Sequence, residues 1–96
     1  MLNLNNALKL YEILAPHFPE YNSETDLLDF AGKILDDIIN SGKHANYIDA
    51  LAVMENITPE QVVQLDANDR VNKFMVDLVE NDVVYLIEFC RNMNYA

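Results

Sequence analysis

Residues 57 to 74 read "ITPEQVVQLDANDRVNKF" and admit two opposed readings. From Asp66 onward, acids and amides alternate as they do at the start of a calcium loop. Ahead of that, Thr58 is a natural helix N-cap, Pro59 a natural first helical residue, and Gln61 completes a capping box. A hand-type loop beginning at Asp66 needs acceptors at its first, third and fifth positions and glycine at its sixth. The fifth position is Arg70, a cation, and the sixth is Val71. The closing position is Asp77, shorter than the usual bidentate Glu. The stretch is therefore architecture. It predicts a short apolar helix carrying Val62, Val63 and Leu65, then a helix from about Ala67 to Glu80 burying Val71, Phe74, Met75 and Leu78.

The same grammar extends in both directions. A first helix runs from about Leu4 to Ala15 and stops before Pro16, which disfavours helical geometry in the preceding residue. "PHFPEYN" follows as a loop, with Pro19 a second breaker. Ser23 is positioned to cap the next helix, and Glu24, Asp26 and Asp29 suit its positive end. Leu27, Leu28, Ala31, Ile34, Leu35, Ile38 and Ile39 line one face, with Asp29, Lys33, Asp36 and Asp37 opposite. Gly42 sits just past the end. A third helix spans about His44 to Glu55 and buries Tyr47, Ile48, Leu51 and Met54. Asn81 or Asp82 caps a last helix to about Met93. Alternating β-branched runs are absent. The expected fold is all-α, a compact single domain of five or six short helices over residues 1–96.

Composition bounds the function. Ninety-six residues suit one domain, and 51% hydrophobic residues supply its core. Apolar runs fall far short of the ~20 residues that span a bilayer, so no membrane partner is expected. The first residues lack the basic region and apolar block of a signal peptide. Cys90 stands alone, which precludes an internal disulfide and suits a reducing cytosol. Sixteen acids against six Lys and Arg give a net charge of -10, which repels phosphate backbones and argues against nucleic acid. That charge confers solubility, and it also attracts basic partners.

Catalytic constellations are missing. His17 and His44 have no second histidine or cysteine at ligand spacing, so neither zinc nor another metal is expected. Asp36 and Asp37 are adjacent, and adjacent helical residues point about 100° apart. Cys90 falls on the apolar face of the last helix and reads as core. Ser23 and Ser41 are the only serines and make no Ser-His-Asp set. Neither is flanked as in the Asp-Ser-Leu triplet of acyl carrier proteins. Gly32 and Gly42 stand apart and form no phosphate loop. No catalytic residue and no cofactor is expected.

Surplus apolar surface points to interaction instead. In the last helix Val83, Leu86, Ile87 and Cys90 form a core stripe. Tyr85, Phe89 and Met93, spaced by four, widen the apolar arc to about 200°, against little more than 100° for a typical surface helix. In the first helix Leu10, Ile13 and Leu14 widen the face of Leu4, Leu8 and Tyr11 in the same way. These six shoulder residues are the candidate partner-binding surface, for a second copy of the chain or a partner's helix.

Residues 47 to 90, "YIDALAVMENITPEQVVQLDANDRVNKFMVDLVENDVVYLIEFC", resemble tail assembly chaperones of long-tailed bacteriophages. The shared style is a helix, a Thr-Pro-Glu-type capped short helix and a "VDLVENDVVYLIEF"-like helix pair in a small acidic chain. The resemblance implies a non-enzymatic helical chaperone working in the cytoplasm of an infected bacterial host. Such proteins coat the aggregation-prone tape measure protein before tail tube subunits polymerise around it. Many also exist as a longer frameshifted product that contacts the tail tube protein. A homo-oligomer is expected as well. The charge of -10 leaves an acidic DNA-mimic-type inhibitor as the alternative, which requires carboxylates lined along one surface.

Overall fold

Helix ends in this chain fall where side chains can satisfy the backbone groups that a helix leaves open. The computed structural model describes residues 2–22 and 24–93. It contains α1 (Leu4–Leu14), a 3₁₀ turn (Ala15–His17), α2 (Leu27–Asn40), α3 (His44–Glu55), α4 (Pro59–Val63), α5 (Ala67–Glu80) and α6 (Val83–Asn92). Among the described residues there is no strand, and the all-α fold stands as expected.

The Thr58 capping box is formed in both directions. Gln61 N donates to Thr58 Oγ1 at 3.1 Å, and Thr58 N donates to Gln61 Oε1 at 2.9 Å. Asp66 caps α5, accepting from Asn68 N at 3.1 Å. Past α2, Gly42 takes φ +73, Lys43 N donates to Ile38 O and Gly42 N to Ile39 O. That pair of bonds is a Schellman motif, and it needs a left-handed residue at this place.

One boundary departs from expectation. Helix α2 begins at Leu27 with Asp26 as its N-cap, a turn later than a Ser23 cap implies, and Ser23 itself lies outside the described residues. Before Asp26 the chain is held by local bonds instead: Asn22 N donates to Thr25 Oγ1, and Glu24 N to Asn22 Oδ1, both at 2.9 Å. Side chains of this kind compete with helix formation for backbone groups. Helix α3 ends at Glu55 as expected, and its C-cap Asn56 is a non-glycine residue in the left-handed region at φ +56.

Helix α3 is the hub, packed against α1, α2, α4 and α5. Its buried residues, Tyr47, Ile48, Ala50, Leu51 and Ala52, run around most of its circumference. A helix apolar on several sides belongs inside, and the two alanines leave room for neighbours. Helix α6 closes the bundle against α1 and α2. The Cα radius of gyration, 12.5 Å, equals the value of about 12.5 Å expected for a close-packed domain of this length. Between the 3₁₀ turn and α2, Phe18 and Tyr21 hold the loop down on Phe30, with ring centroids 6.5 and 5.6 Å from it.

Two helices face the core differently from their sequence reading. In α1 the buried arc is Leu10, Tyr11 and Leu14, while Leu4 is exposed. At 100° per residue, this face is turned roughly 80° from the Leu4–Leu8–Tyr11 stripe. In α5 the inward arc centres on Phe74 and is flanked by half-buried Arg70 and buried Asp77, which leaves Val71 exposed.

Candidate partner-binding site

The turn between α5 and α6 creates the concave feature of the surface. Asp82 adopts φ +48 and caps α6, accepting from Tyr85 N at 3.1 Å. With α6 directed in this way, Tyr85 and Phe89, one helical turn apart, stack at 6.3 Å between centroids and 22° between planes. They line an open groove of about 1030 Å³. Leu2 and Leu4 line it from the start of the chain, Met54 and Glu55 from the end of α3, and Asp77 and Glu80 from α5.

Asp77 is the unusual member. Only 9% of it is exposed, and its Oδ2 has no hydrogen-bond partner. Burial, together with the Glu55 carboxylate beside it, pushes the Asp77 carboxyl up to about 7, and Glu80 adds to the effect. Glu55 is held below its ordinary range, first by the hydrogen bond from Asp77 and then by Lys73, whose Nζ lies 3.5 Å from Glu55 Oε1. The two carboxyls titrate as a pair, Asp77 holding a proton into the neutral range while Glu55 stays ionised. Among the described residues lining the groove there is no Ser, Cys, His, Lys or Arg. Cys90 is buried in the core, where burial pushes its thiol up.

The six shoulder residues fall into separate places. Tyr85, 63% exposed, and Met93, 47% exposed, stand at the surface. Phe89 is half-buried against the core, so it belongs to both core and groove. Leu10 and Leu14 are fully buried, which corrects their assignment as docking surface: the rotation of α1 makes them core. Ile13 is half-buried and lines a second groove of about 400 Å³ with Lys9 and Asp49. The two grooves adjoin, sharing Asn6, Val53 and Asn56.

Sequence reasoning missed Glu55 and Asp77 as a site, although Asp77 carried a signal. It lies three residues after Phe74 and one before Leu78, an acid within the inward stripe. His17 was read as a plain loop histidine. It is 4% exposed, with Nδ1 2.7 Å from Asp37 Oδ2 and Nε2 2.9 Å from Asn46 Nδ2. These two contacts tie the 3₁₀ turn to α2 and α3. Asp66 serves as a cap, and among the described residues no group of three or more His, Cys, Asp or Glu is placed to hold a metal ion. No described helix is long and apolar enough to cross a membrane. Compared with known proteins, the chain matches no family model, no curated protein and no solved structure.

Proposed function

We propose that this chain is a non-enzymatic binding protein that captures a segment of another protein, and more particularly a phage tail assembly chaperone. In this reading it works in the cytoplasm of an infected bacterium and covers the tape measure protein until tail tube subunits assemble. The observation that carries the reading is the exposed Tyr85–Phe89 stack along an open groove. A solvated aromatic pair beside a concavity is a surface that a partner covers with gain. Support also comes from the resemblance over residues 47–90, since that stretch supplies α3, α5 and α6, three of the elements that line the groove. The DNA-mimic alternative rests on the charge of -10 alone.

Coexpression with the tape measure protein of the same genome tests the proposal. The chain is expected to keep that protein soluble and to copurify with it, and Tyr85→Asp to abolish both. Tyr85 is mostly exposed, so the substitution leaves the core untouched. A tape measure protein that aggregates equally with and without the chain overturns the reading. Binding of the tail tube protein to the same complex is the second measurement.

A further inference from the structure

We propose that the groove between α1, α3, α5 and α6 receives a cationic amphipathic helix of a partner protein. Its apolar side chains cover Leu4, Tyr85 and Phe89, and a lysine or arginine reaches Glu55, Asp77 and Glu80. The inference rests on the binding-protein reading above and adds the chemistry of what is bound.

Charge complementarity selects the occupant. Glu55, Asp77, Glu80 and Asp82 all line the groove, and no described lining residue carries a positive charge. Lys73, whose Nζ lies 3.5 Å from Glu55 Oε1, does not line the groove. A second copy of this chain brings a further charge of -10 to the same place and is disfavoured. Asp77 provides an independent indication. Its side chain is nine-tenths buried and borders the groove, and its Oδ2 lacks any donor. Leaving a buried acceptor unmade is unfavourable, and an incoming ammonium or guanidinium supplies the missing donor as a charge-assisted bond. The form of the ligand follows from the architecture. Among the described residues there is no strand and so no sheet edge to extend, and an open groove walled by helices suits the helix-in-groove mode of recognition.

Docking also displaces the proton that Asp77 holds, and the proton leaves to solvent. Around Asp77 stand Glu55 from α3, Lys73 and Glu80 on α5 itself, and Asp82 at the α6 cap. The residues ahead of and within α1 that line this groove, Leu2, Asn3, Leu4, Asn6 and Ala7, are all uncharged. A lysine stays charged throughout the neutral range, so its binding tightens as pH rises and Asp77 gives up its proton.

The test uses the full chain and a fluorescent helical peptide of alternating leucine and lysine faces, followed by anisotropy. A second peptide carries acetyl-lysine at every lysine. The lysine peptide is expected to bind roughly tenfold more tightly than the acetylated one. Glu55→Gln with Glu80→Gln weakens it roughly tenfold, whereas Asp29→Asn with Asp36→Asn, which removes the same charge from α2 away from the groove, changes it by less than about twofold. Affinity rises from about pH 6 to about pH 8, and Asp77→Asn abolishes the rise. Thermal melts establish that each variant is folded. Equal loss in the α2 variant, equal binding of the acetylated peptide, or no effect of Tyr85→Asp overturns the inference. A chain that solubilises the tape measure protein yet ignores the lysine peptide refutes the groove chemistry alone. The reverse result refutes the chaperone reading alone.

Discussion

Asp77 holds its proton at a pH where an unfolded chain has already released it. Its ordinary value is 3.8, and the fold raises it to about 7. Between those values the native state binds a proton that the unfolded state lacks, so stability falls as pH rises across that window. The contribution is complete below about pH 4 and gone above about pH 7. Glu55 acts oppositely: its lowered carboxyl contributes stability that is lost as pH falls below the usual carboxylate range. Urea unfolding is expected to show a loss of roughly 2–4 kcal/mol between about pH 5 and about pH 7.5. Asp77→Asn should flatten that decline and exceed the native chain in stability above neutrality. A native chain with a flat profile removes the Asp77 proton from the account. His17→Ala, by contrast, should cost roughly 1–3 kcal/mol, because it strands Asn46 and leaves a hole where a buried ring stood. Equilibrium denaturation measures it. The partners of His17 lie 20 and 29 residues away, so no local pattern could have disclosed them. The Thr58 cap was legible because its partner Gln61 lies three residues away, whereas the cap of α2 fell to Asp26 and not to the expected Ser23.

At the scale of helices, α2 meets α5 closely at Gly32, where an added Cβ would lie 3.5 Å from Met75 Cε. That is ordinary van der Waals contact with the end of a flexible side chain. Glycine inside a helix is less favourable than alanine by about 0.5–1 kcal/mol. Gly32→Ala should therefore raise the thermal midpoint by a few degrees, and a fall would show that α2 and α5 pack more tightly than described. Gly42→Ala should do the reverse, since φ +73 is unfavourable for alanine. The stripe of α2 was readable at Ala31, Ile34, Leu35 and Ile38, although Leu28 and Ile39, assigned to the same face, stand exposed and Phe30, not assigned to it, is fully buried. The stripe of α1 was not. Leu2, Leu4, Leu8, Leu10, Ile13 and Leu14 nearly encircle the helix, and only the positions of α3 and α6 select which leucines turn inward. Helix α5 posed the opposite difficulty, because a charged residue occupies its inward arc.

The whole molecule carries -10 charges on a body of 36 × 26 × 23 Å. Two associations proposed for the Tyr85 surface therefore respond to salt in opposite directions. Copies of the chain repel one another, and screening that repulsion strengthens any self-association through Tyr85 and Met93. Binding of a cationic helix relies on attraction and weakens as salt is added. Sedimentation velocity at low and high salt measures the first, and a chain that remains monomeric throughout reserves the surface for a partner. The packing of α1 against α6 has another consequence. Translation delivers the first helix long before the last, and the groove needs residues from Leu2 to Phe89. A nascent chain still lacking α6 leaves the contact of α1 with α6 unmade and offers no finished receptor. The groove therefore forms only after the ribosome has released Phe89.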